Sequence, residues 1–217
     1  PYLDIPLQHA SDRVLDLMRR NVTRDKQAAL CHAMRDRIPG MAIRTTFITG
    51  FPGETDEDHA QLLEFIEEVG FDAVGCFRYS REPGTRAGTM DEDAALHVPD
   101  EVKAERYEEI MALQQRIAFE QAEFIAEQFD PENPDETGSR FDVLIDEPAG
   151  EAEDGARVYR GRACFQAPQI DAVTYVRSSR DLSPGELVRS TIVGADGYDL
   201  VARPSEELER RVSLPLA

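Results

Sequence analysis

The chain has 217 residues, with 43 Asp and Glu against 24 Lys and Arg, a formal net charge of -19 and a pI near 4.5. That length buries a sizeable core and admits one large domain or a larger and a smaller one, while the charge argues against a general nucleic-acid binder, whose footprint would be basic. Three scattered cysteines, no apolar stretch of membrane-spanning length and no charged-then-apolar leader point to a soluble, cytoplasmic chain.

The chain opens on Pro1 in mid-strand, as a fragment of something longer would. "YLDIPL" predicts a strand, and Ser11 is placed to cap the helix "DRVLDLMRR". Thr23 caps a second helix with Ala29, Leu30, Ala33 and Met34 on one side, ended by Ile38-Pro39-Gly40. "MAIRTTFIT" supplies the next strand. It runs into Gly50-Phe51-Pro52-Gly53, after which Thr55 and Asp58 form a capping-box pattern and Asp56, Glu57 and Asp58 complement the helix dipole. Leu62, Phe65, Ile66 and Val69 line that helix's inner side, Gly70 stops it, and "DAVGCFRYS" is a third strand. Strands alternating with helices of this length indicate βαβ units and a parallel sheet.

From Pro99 the pattern changes to one long helix, "DEVKAERYEEIMALQQRIAFEQAEFIAEQF", with Tyr107, Ile110, Met111, Leu113, Ile117 and Ile125 near helical spacing. "DPENPDETGS" then breaks it as a linker. Beyond it the period is two, through "RFDVLIDE", "ARVYRGRACF", "AVTYVRSS" and "ELVRSTIVGADGYDLVARP", which predicts a small all-β barrel or sandwich. The acidity is local: residues 91–137 carry 15 acids against 3 bases. Such a run is either a solvated face, a surface adapted to high salt, or a docking surface for a cationic partner. Cys31, Cys76 and Cys164 are too far apart in sequence to form a metal-ligand motif and read as core or incidental residues.

The segments "YLDIPLQHAS", "RTTFITGFPGET", "VGCFRYSREPGT" and "EVKAERYEEIMALQQ", followed by "RGRACFQAPQID" and "ADGYDLVAR", resemble in that order the carboxy-terminal half of the radical S-adenosylmethionine methylthiotransferases, RimO type. The resemblance runs from residue 1 to about residue 204. It implies an α/β fold, the later βα units of a partial TIM-like radical SAM barrel over 1–130, then a linker at 131–138, a small OB-like TRAM barrel at 139–205 and a tail at 206–217. It also implies S-adenosylmethionine and two 4Fe-4S clusters in a full-length enzyme that replaces C–H by C–SCH3 on the β-carbon of an aspartate in a small-subunit ribosomal protein. An unactivated C–H bond is beyond acid–base chemistry and calls for a cofactor-derived radical. Iron–sulfur clusters are held by thiolates, and this chain has no C-x-x-x-C-x-x-C run. The chain alone is therefore expected to be inactive, with no metal site of its own and as a monomer.

Taken by themselves, Gly50 and Gly53 make a structural turn; they would also let backbone approach a ligand at a helix start. The resemblance favours the second use, since in such barrels this strand end lies beside the cofactor's adenosyl group. Gln8, at the carboxyl end of the first strand, is a polar contact to cofactor or substrate, and His9 beside it reads as a structural histidine. The expected cofactor-binding set is Gln8, Arg44, Gly50, Gly53, Glu54 and Ser80, with Tyr79 beside Ser80. Arg44 is equally well read as a salt bridge on the barrel floor. No catalytic residue is assigned.

Two other functions fit the same residues. One is a tRNA adenosine methylthiotransferase, whose TRAM barrel would grip RNA; the other is a non-catalytic TRAM binding module. From 138 to 204 the chain carries 11 acids and 8 bases, whereas a barrel serving tRNA needs cationic contacts to phosphate. The expected partner is accordingly a basic small-subunit ribosomal protein, with tRNA and membrane disfavoured.

Overall fold

The computed structural model describes residues 1–152 and 154–208, and the chain divides into two units, Pro1–Ile117 and Ala118–Ala217. The first unit contains β1 (Tyr2–Gln8), α1 (Asp12–Leu17), α2 (Arg24–Arg37), β2 (Ala42–Thr49), α3 (Asp56–Val69), β3 (Ala73–Arg78), α4 (Arg86–Met90) and most of α5 (Asp100–Ala126). Its three strands form a parallel sheet in the order β1-β2-β3. The carboxyl ends of all three therefore lie along one edge, where parallel α/β folds place their sites.

Local chemistry sets the helix ends as the sequence predicts. The Ser11 hydroxyl accepts from Val14 N–H and that of Thr23 from Lys26 N–H. Thr55 and Asp58 make a complete capping box, and Gly70 ends α3 in the left-handed region at φ 57°. Phe47 of β2, Phe65 of α3 and Phe71 meet as an aromatic cluster with ring centroids 5.8 to 6.3 Å apart. Ile43, Leu62, Ile66 and Ile110 close around them.

Helix α2 departs from expectation. Gln27, Ala28 and Cys31 face inward, and Ala29 and Leu30 face out, Leu30 at 42% exposure. The phase is set by a polar contact that apolar periodicity does not register: the buried Gln27 amide donates to the Leu7 carbonyl at 3.2 Å. In α5 the inward stripe is Lys103, Arg106, Ile110, Gln114 and Ile117, so three polar residues share the face with the expected isoleucines. Tyr107, Met111 and Leu113 pack beside it, half-buried.

The second unit is a closed barrel in the strand order β4-β5-β6-β8-β7, from β4 (Arg140–Glu151), β5 (Arg157–Arg162), β6 (Thr174–Ser178), β7 (Leu187–Asp196) and β8 (Asp199–Pro204). Closure leaves no open sheet edge. Val143, Ile145, Val176, Val188, Ile192 and Ala202 fill its interior with Tyr159, whose hydroxyl accepts from Leu182 N–H. Ala122 and Ile125, near the end of α5, belong to this core. The division of the chain thus falls inside α5, and the expected linker at 131–138 lies within the second unit as a turn tied by Asp130, Asn133 and Thr137. Helix α6 (Ser205–Leu208) takes the last residue of the expected TRAM range and the first three of the expected tail, and 209–217 lie outside the described residues.

The clasp between α1 and α3 centres on Asp58. Its carboxylate accepts from the Ser11 hydroxyl at 2.5 Å, from Thr55 N–H and hydroxyl at 2.8 Å each, and from the Arg13 guanidinium. Burial works against the charged form, but these donors outweigh it and hold the Asp58 pKa well below the ordinary carboxylate range. A depressed carboxyl pKa gives stability that is complete above the unfolded value of 3.8 and is lost as pH falls through the folded value. Asp58→Asn should therefore lower unfolding stability by about 2 kcal/mol at neutral pH, and the gap to wild type should narrow below pH ~4. Urea titrations at pH 7 and pH 3 check both halves.

Candidate functional site at the strand carboxyl ends

The loop after β2 is held by one buried carboxylate. Glu54 accepts from Gly50 N–H at 2.6 Å, from Phe51 N–H at 3.1 Å and from the Thr49 hydroxyl at 3.3 Å. Arg106 of α5 reaches the same carboxylate at 3.1 Å and binds Asp56 at 2.7 Å, bridging the loop and the first turn of α3. The Glu54 side chain is fully buried and that of Arg106 nearly so. Burial pushes the Glu54 pKa up, while Arg106 and the two loop N–H groups pull it back.

Two histidines flank this pair. His9 Nδ1 accepts from Ser11 N–H at 2.9 Å, so its single proton sits on Nε2, 3.8 Å from Glu54 and without a hydrogen bond. Desolvation lowers the His9 pKa to about 3, keeping the ring neutral. His59 Nε2 meets Glu109 at 2.7 Å, leaving a buried Nδ1 3.9 Å from Glu54 and also unbonded.

The faces of Gly50 and Gly53 are filled by the protein itself. A Cβ on Gly50, at φ 73°, would collide with the aliphatic part of Lys103, and one on Gly53, at φ 88°, would press on Leu17 and Leu96. Gly53 N–H donates to the Leu96 carbonyl at 2.6 Å. Close backbone approach here serves packing by α5 and by the segment before it.

The edge also carries strained backbone. Gln8 ends β1 at φ 75°, beyond a register shift against β2. Arg19 has φ 58°. Arg19 N–H bonds to the Asp16 carbonyl and Arg20 N–H to the Leu15 carbonyl, a Schellman ending to α1 with arginine where glycine is usual. Each such non-glycine residue costs about 1 kcal/mol or more.

Gln8, Arg19, Arg20, Ile48, Phe51 and Arg86 line a cleft of about 270 Å3 along this edge. Of the expected site residues, Gln8 lines this cleft with Phe51 of the turn after β2, while Gly50 and Glu54 are buried and Gly53 is half-buried. Ser80 lies exposed beyond the end of β3, after Tyr79, whose ring meets Phe51 edge-on at 5.4 Å and lies under Lys103. Arg44 stands near the opposite end of β2, level with Asp4 of β1 and paired with it. Sequence reasoning missed Arg106 and Lys103; their spacing of three, continued by Ile110, was the available signal.

The cysteines do not fit an iron–sulfur cluster. Cys31 and Cys76 are buried in the first core, Cys164 is exposed in the second unit, and burial pushes the Cys76 thiol up to about 12. Among the described residues no three His, Cys, Asp or Glu side chains are grouped to hold a metal. No helix among them is long and apolar enough to cross a membrane.

Removing one partner of a buried ion pair leaves the other charge unpaired, at a cost of about 3 kcal/mol or more. Arg106→Leu should therefore destabilise the protein by about that amount, well beyond the effect of truncating an exposed pair such as Arg116–Glu67. Denaturant midpoints of the two variants make the comparison.

Comparison with known proteins supplies the family. Residues 1–66 match the radical SAM superfamily and residues 137–204 the TRAM domain. The chain is 42% identical over 200 residues to the ribosomal protein uS12 methylthiotransferase RimO of Cronobacter sakazakii, covering 92% of this chain and 41% of that protein. For the RimO proteins of Pelotomaculum thermopropionicum and Aquifex aeolicus the identities are 43% and 41%, over 92% and 96% of this chain and 41% and 44% of theirs. The chain spans about two-fifths of the length of the curated relatives it matches. With a parallel α/β unit ahead of a closed five-stranded barrel, and this likeness along nearly all of its length, the chain belongs to the radical SAM methylthiotransferases of the RimO type, as their carboxy-terminal half.

Proposed function

We propose that this chain is the later radical SAM barrel and the TRAM domain of an enzyme that methylthiolates the β-carbon of an aspartate in a small-subunit ribosomal protein. The observation that carries the reading is the likeness to RimO proteins along 92% of the chain. In the full-length enzyme S-adenosylmethionine lies against Gln8 and Phe51, with Gly50, Gly53 and Glu54 holding the turn that carries Phe51; Arg44 and Ser80 stand farther out. The cofactor supplies the radical that breaks the C–H bond. This chain's part is to present a rigid strand edge, fixed by Glu54 and Arg106, that orients cofactor and substrate. Two 4Fe-4S clusters complete the enzyme, with thiolates from outside this chain.

The charge distribution supports a protein rather than an RNA substrate. Between 138 and 204, Arg157, Arg160, Arg162, Arg177, Arg180, Arg189 and Arg203 are each paired with a carboxylate, and Arg140 reaches the Asp135 carbonyl. Two of the three bases in the acidic stretch, Lys103 and Arg106, are buried, so its exposed side chains are more acidic than its composition. Such charge steers a cationic protein and repels a polyanion, an effect that weakens as the Debye length falls below roughly 10 Å.

Two measurements test this. Reconstituted with iron and sulfide, the 217-residue chain should hold no stoichiometric cluster; a stable four-iron cluster by iron and acid-labile sulfide analysis would refute the assignment of its cysteines. In paired titrations at low and moderate salt, the full-length enzyme should bind the ribosomal protein more tightly than unmodified tRNA, with protein affinity falling as salt rises. The reverse preference would transfer the enzyme to the tRNA-modifying branch.

A further inference from the structure

We propose that the arginine side of the cleft, Arg19, Arg20 and Arg86, is a carboxylate site beside the surface that Gln8 and Phe51 offer to S-adenosylmethionine, built to take an acidic side chain of the protein substrate. Arg19, Arg20 and Arg86, drawn from two separate segments, line the cleft together with the apolar Ile48 and Phe51. All three arginines are exposed, and no carboxylate within the described residues pairs with them, although seven of the eight arginines between 138 and 204, and Arg13, Arg24, Arg35 and Arg106, have such partners. In a chain of net charge -19, three such arginines lining one cleft offer a place for an external anion. Guanidinium groups suit a carboxylate, which they bind through paired N–H donors.

The backbone points to the same place. Among the described residues, the non-glycine residues with positive φ are Gln8, Arg19 and Gln169, and the first two line this cleft. Arg19 occupies the position of a helix ending where glycine would relieve the strain, so the side chain has a use that the fold does not supply. The cleft, about 270 Å3, has room for a side chain reaching in from a protein loop.

The assignment rests on the function proposed above for the identity of the substrate, and the experiment separates the two. In the full-length protein, Arg20→Gln with Arg86→Gln is compared with wild type in fluorescence-anisotropy titrations. The probes are a short lysine-rich peptide with one central aspartate and the same peptide with asparagine. Loss of two charge-assisted contacts should weaken the aspartate peptide roughly tenfold or more, with the asparagine peptide little changed. Arg37→Gln, an exposed arginine outside the cleft, should change neither. Arg19→Gly should weaken the aspartate peptide while raising the melting temperature, which a purely structural arginine would not do.

Calorimetry with S-adenosylmethionine should give equal affinity in wild type and double variant. A loss confined to S-adenosylmethionine would overturn the substrate assignment and give the cleft to the cofactor's methionyl carboxylate. Equal loss for both peptides, or none, would overturn the carboxylate site while leaving the enzyme assignment intact. Wild-type protein that distinguishes neither peptide would likewise overturn the carboxylate site, whereas tighter binding to tRNA than to the ribosomal protein would refute the substrate reading itself.

Discussion

The strand edge depends on the buried carboxylate of Glu54. A loop of the form Gly-Phe-Pro-Gly has few side chains with which to hold itself, and its N–H groups need partners once it is covered. Glu54 takes two of them and the Thr49 hydroxyl, and Arg106 neutralises the charge from 52 residues away. Each part makes the next affordable: without Arg106 the carboxylate would not be stable as an ion, and without the carboxylate the loop N–H groups would be orphaned. Such a network, fully joined, gives a rigid and unique conformation in a way that apolar packing seldom does.

Rigidity at that edge also explains where strain is tolerated. Gln8 and Arg19 sit in backbone conformations disfavoured for residues with a Cβ, and both adjoin the segments clasped by Asp58 and Glu54. Ser11 joins the end of β1 to α3 through Asp58, and His9 is locked by its bond from Ser11 N–H. The surrounding contacts over-determine the geometry, which is the condition under which unfavourable dihedrals persist.

The acidic composition takes on a different meaning once burial is known. The bases of residues 91–137 are mostly internal partners of carboxylates, and the barrel's arginines are mostly paired at its surface. Exposed pairs contribute little to stability, but they remove free positive charge from the surface. The unpaired arginines at the strand edge are the contrast to this pattern.

Elements whose ends are set by near neighbours were legible in the sequence. The caps at Ser11, Thr23 and Thr55, the stop at Gly70, the βα alternation and the period of two in the barrel all depend on residues within a few positions of one another. Gln8 and the Gly50–Glu54 turn could be placed at one edge for the same reason, since parallel strands align their carboxyl ends. What only tertiary structure decided involves polar groups whose partners lie far along the chain. Gln27 turns inward because the Leu7 carbonyl awaits it, Lys103 and Arg106 because the loop after β2 supplies space and carboxylates, and Arg44 is held by Asp4. Apolar side chains report their burial through periodicity, because the hydrophobic effect is non-directional. A buried polar side chain is stable only where a specific distant partner meets it, and nothing in its own neighbourhood announces that partner.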